Sequence, residues 1–370
     1  MRDLLGDARQ RLAREIDTYS APQWEPIVAD PWIVSSLLQK SIRRSEIEIA
    51  QRAALTLFKS RGSAIWRRFM VIAFEDVGIG SIDAVTMTVA VGSDAACRKA
   101  CGGDLRVAVH LAGVLANAPK DRSADHLAGA KDHPALAGFV QAMANASIAL
   151  LLSSVRDTAL DLTHRAVATW LASGIGVDDG IARGNLEKLL ALFRDAGVPE
   201  GLVAATGIAA GRTREPITVM VPLIWLAAAT SQQSVCDCPV PPLTRAGGVP
   251  LYALDEHTRL GREAIWRFAC ENDSVRACLE RFAPANRRRR AANVAAFYAD
   301  AAPVARRLMW DQSRSLETFG TERDLLLAGV PKEGIGPLLE AVRANLGHLN
   351  ELRTQVLDRT RPERAGVLVP

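Results

Sequence analysis

LLQKSIRRSEIEIAQRAALTLFKSRGSAIWRRFMVIAFEDVG, residues 37–78, is the stretch of sequence that decides the fold. Its apolar residues recur every three or four positions, which is the period of an α-helix with one buried face. Three linked helices are therefore predicted. The first has an apolar side and an opposite cationic edge, the second begins at a capping box formed by Ser45 and Glu48, and the third, from about Ala64, is apolar nearly all round. The rest of the chain can be arranged around this three-helix unit.

The third helix ends in two adjacent carboxylates, Glu75 and Asp76, followed by Gly78. Carboxylates in the last turn add to the negative end of the helix dipole, which costs roughly 0.3–1 kcal/mol at exposed positions. Nearby cations must offset this charge, so we expect a partly buried cluster of ion pairs. Gly78 is expected to take the left-handed conformation that ends a helix. The candidate cations are Arg68 on the same helix face and Lys40, Arg43 and Arg44 on the first helix.

The order of these features is KSIR, a capped helix, WRR, an apolar run and EDVG. It resembles the helical region that follows the motor in replication-associated, clamp-loader-like AAA+ ATPases of the RarA/MgsA type. The resemblance covers about forty of the 370 residues and implies a non-catalytic, oligomer-forming collar that works at DNA. The chain contains no GxxxxGK[ST] sequence, so it lacks the P-loop that would hold a triphosphate. The matching residues are Lys40, Ser41, Ile42, Arg43, Arg67, Arg68, Glu75, Asp76 and Gly78.

Composition extends the helical prediction to the whole chain. Apolar residues make up 49% and aromatic residues only 5%, and the Ala-, Leu- and Arg-rich character favours helix. No long alternation of apolar and polar residues competes with the helical period, so the predicted fold class is all-α, a multi-helix array with no substantial sheet. The predicted organisation is a helical domain over 1–231, a loop rich in Pro, Gly, Cys and Ser over 232–250, a basic helical region over 251–358, and a disordered tail over 359–370.

The net charge and the cysteine content restrict the kinds of partner and cofactor that the sequence favours. A net charge of +4 and a pI of about 8.8 are compatible with a polyanion without requiring one. The sequence has neither a signal peptide nor an apolar run of 18 residues, so we expect a cytoplasmic protein with no membrane partner. The six cysteines do not form paired CxxC motifs, which favours reduced thiols and no metal or other cofactor. A zinc site using Cys236, Cys238 and a distant histidine is the alternative.

A second polar cluster follows the 232–250 loop. Asp255, His257, Thr258 and Arg259 place a hydrogen-bond acceptor, an imidazole, a hydroxyl and a guanidinium within five positions, just before a predicted helix. One interpretation is that these residues belong to a catalytic site. The other is that Asp255 or Thr258 caps the helix and that the remaining side chains are solvated.

Basic residues concentrate near the carboxyl end. Arg287–Arg290 are four consecutive arginines, which cannot all face a core, and their surface can bind phosphates or simply be solvated. Leu327–Gly336 has glycines spaced loosely like the hairpin of a helix-hairpin-helix motif, whose backbone amides bind DNA phosphate. By contrast, Lys120–His133 is polar and is predicted to be a solvated loop between helices, with metal binding as the less favoured alternative. The residues assigned to DNA contact are Lys40, Arg43, Arg44, Arg67, Arg259, Arg287, Arg288, Arg289 and Arg290.

These features support three hypotheses for function. The favoured one is a DNA glycosylase-like enzyme that excises a modified or damaged base from duplex DNA, in repair or in phage defence, after extruding the nucleotide. Its predicted catalytic residues are Glu75, Asp76, Asp255 and His257, which would have to line one cavity. The second hypothesis is a non-catalytic, collar-like scaffold that binds DNA or protein, with oligomer formation possible. The third is a hydrolase of a small nucleoside or phosphate substrate that uses Asp255 and His257.

Overall fold

The computed structural model describes residues 5–20, 22–177 and 184–360, so most of the predicted tail lies outside the described residues. Within these ranges the predicted all-α fold is confirmed, because helices account for nearly all of the regular structure. None of these helices is both long enough and apolar enough to cross a membrane. The α-helices are α1 Gly6–Thr18, α2 Pro31–Arg43, α3 Ile47–Arg61, α4 Ala64–Ile72, α5 Ile82–Gly92, α6 Ala95–Ala100, α7 Asp104–Asn117, α8 Ser123–Ala128, α9 Ala137–Met143, α10 Ile148–Arg156, α11 Leu162–Ser173, α12 Leu186–Asp195, α13 Glu200–Thr213, α14 Ile217–Ala228, α15 Arg259–Glu271, α16 Asp273–Phe282, α17 Arg288–Ala296, α18 Ser313–Leu327, α19 Lys332–Ala344 and α20 Leu346–Asp358.

Extended structure is limited, within the described residues, to two short antiparallel ladders. Strand β1, Ser234–Asp237, pairs with β4, Arg306–Met309, and places Cys236 opposite Arg307. Strand β2, Arg245–Ala246, pairs with β3, Val249–Pro250. The predicted loop over 232–250 therefore contains three short strands. Two π-helical segments, Ala73–Val77 and Phe297–Ala301, continue α4 and α17 respectively.

The chain divides into two compact units that differ from the predicted domains. The predicted domains, 1–231 and 251–358, are continuous in sequence, whereas each unit is assembled from separated segments. Strand pairing explains one of these separated segments, because β4 belongs to unit 1 through its pairing with β1. Unit 1 contains the chain up to Pro26, Ser41–Pro239 and Val304–Arg323, and unit 2 contains Ile27–Lys40, Val240–Pro303 and the chain from Asp324.

The three predicted helices are present as α2, α3 and α4, but the capping box is wrong. Ser45 has a positive φ of 58°, and α3 begins at Ile47 without a side-chain cap from Glu46. The reason lies at the end of the preceding helix. The backbone N–H of Ser45 donates to Ile42 and that of Glu46 donates to Ser41, which is the hydrogen-bond pattern of a Schellman motif. Ser45 therefore ends α2 instead of starting α3.

Each unit has its own core. In unit 1, α3 packs along α7 and α4 packs against α5, and the side chains of Phe69 and Phe74 are fully buried, as expected for the apolar third helix. In unit 2, α15 packs against α17 and α20, and α16 packs against α19. Arg353 of α20 is buried and donates to the carbonyl oxygen of Leu254 at 2.9 Å and to Asp300 at 2.5 Å.

Candidate functional site

The Glu75–Asp76 turn is fixed by the backbone around it. These residues lie in the π-helical segment Ala73–Val77, which ends at Gly78 with a φ of 50°. The backbone N–H of Asp121 donates to the carbonyl oxygen of Val77 at 3.1 Å. A Cβ added to Gly78 would lie 2.6 Å from the carbonyl oxygen of Asp121. Glycine is therefore needed both for its positive φ, as predicted, and for this close approach of two backbone segments.

An ion-pair cluster forms at this turn with Arg43, one of the predicted cations, and with Arg122, which the sequence did not indicate. Lys40 and Arg44 pair with other carboxylates, and the predicted part of Arg68 in the cluster stays a prediction. Asp76 is fully buried, and its Oδ1 lies 2.6 Å from Nε of Arg43 and 3.2 Å from Nε of Arg122. Glu75 Oε1 lies 3.3 Å from Arg43 and 3.7 Å from Arg122, which also pairs with Asp125. Arg43 was one of the predicted partners, whereas Arg122 lies in the span that was assigned to a solvated loop.

Glu75 has a different protonation behaviour from an ordinary surface glutamate. Burial, followed by the charges of Asp76 and Asp125, raises the pKa of Glu75 to about 7, although Arg43 and Arg122 oppose the increase. Its side chain retains 19% exposure. A partly exposed carboxyl group with a pKa near neutrality can give or take a proton at physiological pH.

Most of the Lys120–His133 span is a buried polar layer of unit 1, which contradicts the prediction of a solvated loop, and only Asp132 is exposed. Lys120 is fully buried, and its backbone bonds to β4 on both sides, from its N–H to Arg306 and from the N–H of Leu308 to its carbonyl oxygen. Burial lowers the pKa of Lys120 to about 7 and that of His126 to about 3, so the imidazole is neutral. Main-chain pairing with β4 and the ion pairs of Arg122 stabilise this burial.

Unit 1 also has an open polar cavity of about 420 Å³ that none of the predicted catalytic residues lines. Its walls carry Arg11, Arg306, Glu15 and Asp83. Arg11 forms ion pairs with both Glu15 and Asp83, and Arg306 donates to the carbonyl oxygen of Asn117 at 3.0 Å. Arg11, Glu15 and Asp83 therefore pair with one another in the cavity wall, and Arg306 bonds to the backbone.

In unit 2, Asp255 is a buried ion-pair residue and Thr258 is the helix cap. Oδ2 of Asp255 lies 2.6 Å from Nζ of Lys40, and its Oδ1 accepts the backbone N–H of His257 at 3.1 Å. The hydroxyl of Thr258 accepts the backbone N–H of Gly261 at 3.0 Å at the start of α15. Burial opposes ionisation of Asp255, but Lys40 and His257 hold its pKa below the ordinary value.

His257 and Asp255 are not arranged as a side-chain dyad. The imidazole of His257 is 64% exposed and lies edge-on to Phe297, with ring centroids 5.7 Å apart. The neighbouring Glu256, which sequence reasoning passed over, is the perturbed group: burial, then Asp255 and Asp324, raise its pKa to about 7 while Lys40 and Arg290 oppose this. Its position inside the Asp255–Arg259 stretch was the available signal.

The four consecutive arginines begin helix α17. Arg287 is the N-cap residue, and Arg287, Arg289 and Arg290 are exposed, while Arg288 is half-buried and donates to the carbonyl oxygen of Ala283 at 3.3 Å. Across the described residues, none of the four forms an ion pair with a carboxylate within 4 Å. Other arginines of unit 2 do so, namely the half-buried Arg267 with Glu271, and the exposed Arg276 with Asp273 and Arg359 with Glu263.

The glycine turn between α18 and α19 packs against this arginine run. Gly329 has a φ of 90°, and a Cβ added to it would lie 3.1 Å from Cβ of Arg287. A Cβ added to Gly334, in the first turns of α19, would lie 2.7 Å from Phe282, and the guanidinium of Arg281 lies 4.9 Å from the centre of that ring. Two features that sequence analysis linked to phosphate binding are therefore neighbours in unit 2.

Three residues that were assigned to DNA contact are buried, and this part of the prediction is corrected. Lys40 pairs with Asp255, Arg43 with Asp76, and Arg44 with Glu46. Their positive charge stabilises carboxylates of the same chain and is not presented to solvent. Arg67 and Arg259 are exposed, and Arg67 donates to the carbonyl oxygen of Thr213 at 2.6 Å.

The four predicted catalytic residues fall in different units. Glu75 and Asp76 belong to unit 1, and Asp255 and His257 belong to unit 2. The ion pairs of Asp76 and of Asp255 form within their own units. A cavity common to the two stays a prediction. For the alternative zinc site, the described residues contain no group of three or more His, Cys, Asp or Glu side chains placed to hold a metal ion.

Comparison of the chain with protein-family models, with curated protein sequences and with solved structures finds no significant match.

Proposed function

We propose that the protein binds nucleic acid, DNA in the first place, and acts as a helical scaffold. The binding surface is the arginine–glycine face, which we define as Arg287, Arg289 and Arg290 together with the turn 327–332. The observation that carries the proposal is the packing of Gly329 against the base of Arg287, because it places an exposed arginine beside a glycine turn that precedes a helix. The exposed Arg289 and Arg290 follow in the first turn of α17.

The electrostatics of α17 support a phosphate ligand at this face. The arginines occupy the N-cap and the first turn, where the helix dipole is positive and acidic residues are preferred. Placing cations there is unfavourable by itself, and a bound anion offsets both the like charges and the dipole. A guanidinium group binds a phosphate through two parallel N–H···O hydrogen bonds. Contacts to phosphate give affinity without sequence specificity.

The ion pairs of the buried carboxylates Asp76 and Asp255 favour a scaffold over an enzyme. Asp76 and Asp255 are each held within 2.6 Å of a cation of the same unit, so neither is positioned as an unpaired nucleophile or base. The residues that carry the resemblance to the clamp-loader collar include Lys40, Arg43 and Asp76, and here they stabilise the fold. This agrees with the non-catalytic role that the resemblance implies.

Binding of a fluorescent DNA duplex, followed by anisotropy at several salt concentrations, tests the proposal. Changing Arg287, Arg289 and Arg290 to Ala should weaken binding roughly 10- to 100-fold at 0.1 M salt and reduce the slope of log K against log salt by about 2–3, since each lost phosphate contact removes about 0.9. Circular dichroism should show that the variant remains folded.

The matched control changes Arg267, Arg276 and Arg359 to Ala. The side chains of these arginines of unit 2 are 33%, 45% and 58% exposed, and the net charge changes equally, but each is already paired with a carboxylate. The control should keep its affinity within about threefold and nearly keep its salt slope. An equal loss of affinity in the two triple variants would show that binding depends only on net charge. No loss of affinity in either variant would overturn the proposal.

We infer a second candidate function, excision of a base from DNA, from one observation. Glu75 combines 19% exposure with a pKa of about 7 beside two guanidinium groups, which suits a general acid that protonates a leaving base. Purified protein is incubated with normal and modified duplexes and then with alkali, which breaks strands at abasic sites. Strand breaks that disappear in Glu75→Gln, but persist in Glu263→Gln, would support excision, and the absence of breaks on every duplex would reject it.

A further inference from the structure

Cys236 and Cys238 form a close thiol pair at the edge of unit 1. Their Sγ atoms are 3.6 Å apart, and both residues are partly exposed. Cys236 lies in β1 opposite Arg307 of β4, and Cys238 follows the strand, where its backbone N–H donates to the carbonyl oxygen of Ala305 at 2.6 Å. Residues two apart in an extended strand project to the same side, which explains why the sulfur atoms meet.

We propose that Cys236 and Cys238 are a reactive dithiol that small-molecule disulfides close to an intramolecular disulfide. The geometry permits closure without refolding. Residues two apart in a strand have Cα atoms about 6.4–6.8 Å apart, which is at the upper end of the range for a disulfide. The sulfur atoms must approach by about 1.5 Å, because an S–S bond is about 2.05 Å long.

The reaction proceeds in two exchange steps that balance. The thiolate of Cys236 attacks one sulfur of the reagent disulfide, whose S–S bond breaks, and the released thiolate takes up a proton. The thiolate of Cys238 then attacks the sulfur of Cys236, the mixed disulfide breaks, and a second small thiol leaves. The protein loses two electrons and two protons, and the reagent disulfide gains them as two thiols.

The surroundings of the pair favour this order of attack. Burial and the hydrogen bond with Cys236 raise the pKa of Cys238, while Arg307 and Arg314 oppose the increase. The raised pKa lowers the thiolate fraction of Cys238, whereas the two arginines favour the thiolate that resolves the mixed disulfide.

Cys97 and Cys101 provide an internal control pair. Burial, followed by Cys101 and Asp94, raises the pKa of Cys97 to about 11, and Cys101 is buried. A thiol with such a pKa has very little thiolate at pH 8, so it reacts slowly with disulfides. Cys270, the exposed cysteine, serves as the reference for an accessible single thiol.

The experiment treats the native full-length protein with oxidised glutathione at pH 8, blocks remaining thiols at low pH, and maps tryptic peptides by mass spectrometry. Cleavage after Arg214 and Arg245 yields one peptide that contains Cys236 and Cys238 and no other cysteine, whereas Arg98 and Lys99 separate Cys97 from Cys101. The 215–245 peptide should lose both free thiols and two hydrogen atoms and carry no glutathione. Cys97 and Cys101 should remain blocked as thiols.

Two variants assign the roles of the sulfur atoms. Cys238→Ser should accumulate glutathione on Cys236, because the resolving thiol is absent. Cys236→Ser should carry glutathione on Cys238 and form no intramolecular disulfide, because the partner thiol is absent. The proposal is overturned if the native peptide keeps both thiols after Cys270 has reacted, if it gains two glutathiones, or if closure occurs only after denaturation.

Discussion

Arg43 and Arg290 are the same type of residue near a helix end, yet the two units use them in opposite ways. Arg43 is the last residue of α2, where the helix dipole is negative, and it is buried against Asp76 and Glu75 in unit 1. Arg290 lies in the first turn of α17 in unit 2, where the dipole is positive, and it is exposed. The difference teaches that an arginine's helix position and its carboxylate neighbours decide whether its charge stabilises the fold or remains available to a ligand.

The largest expected effect is the difference in free energy of unfolding between variants of Arg43 and variants of Arg290. Arg43→Ala should reduce the free energy of unfolding by roughly 3–5 kcal/mol, because it leaves the buried carboxylate of Asp76 short of a partner. Arg290→Ala should change it by less than about 0.5 kcal/mol, as expected for an exposed residue. Urea unfolding monitored by circular dichroism measures both.

A double-mutant cycle separates the ion pair from lost packing. The double change Arg43→Ala with Asp76→Ala should cost less than the sum of the two single changes, since neither residue then leaves an unpaired charge. Additive effects, or equal effects of Arg43→Ala and Arg290→Ala, would show that Asp76 is not stabilised by the pairing described here.

The second prediction concerns two glycines in the same backbone conformation. Gly62 has φ 56° and ψ −132°, and Gly78 has φ 50° and ψ −134°. A Cβ on Gly62 would meet nothing within 4 Å, whereas a Cβ on Gly78 would lie 2.6 Å from the carbonyl oxygen of Asp121. Both Gly→Ala variants pay for the positive φ, but Gly78→Ala should destabilise by roughly 1–3 kcal/mol more, because only it also clashes with backbone.

Thermal unfolding of Gly62→Ala and Gly78→Ala compares the two glycines directly. Equal melting temperatures would mean that the backbone conformation alone matters at both positions, and that the approach of Asp121 to the Glu75–Asp76 turn is not tight.

Local sequence patterns predicted the three-helix unit. They could not identify which residues far apart in the sequence form ion pairs in the fold. The three- and four-residue period predicted α2, α3 and α4, and Gly78 was recognised because only a positive φ ends a helix in that way. The two adjacent carboxylates at a helix C-terminus also correctly predicted that cations lie close to them. The sequence could not select Arg122, which is 46 positions beyond Asp76, because only tertiary structure brings α8 to that turn.

Two of the failed predictions share a physical cause, which is that polarity was taken as a sign of exposure. The Lys120–His133 span contains many charged residues, but its backbone bonds to β4 and its charges pair within unit 1, so it is buried. Lys40, Arg43 and Arg44 were assigned to DNA for the same reason. The capping box failed because Ser45 completes the hydrogen bonds of α2, a competing use of the residue that spacing does not reveal.

The third prediction uses the pH dependence of unit 1. The folded-state pKa of Glu75 is about 7, above its ordinary value of 4.5, so the folded protein binds more protons than the unfolded chain between these values. The stabilising contribution of protonated Glu75 is complete below pH 4.5 and is lost as the pH rises through 7. Glu75→Gln should remove roughly 1–3 kcal/mol of the fall in unfolding free energy between pH 4.5 and 7.

Glu256 has a similarly raised pKa in unit 2, so a part of the fall in stability should survive in Glu75→Gln and be lost when Glu256→Gln is added. The lowered pKa of His126 contributes a rise in stability with pH up to about 6.5 in every variant, so it does not affect the comparison between them. Urea titrations at pH 4.5, 5.5 and 7 follow both steps, and Glu263→Gln at an exposed ion pair is the control. A Glu75→Gln variant with the parental slope would contradict the burial-induced shift.

The smallest expected effect lies within the arginine run and rests on the proposed binding of DNA. Arg288 is half-buried and already donates to Ala283, whereas Arg289 is exposed, with its guanidinium 6.0 Å from the ring centre of Trp266. Arg289→Ala should therefore weaken duplex binding a few-fold and lower the salt slope by about 0.9, the value for one phosphate contact. Arg288→Ala should leave the slope unchanged, because its guanidinium is directed to the protein. If Arg288→Ala lowers the slope as much as Arg289→Ala does, the run acts through its total charge, and the contrast between inward and outward arginines does not extend to this helix.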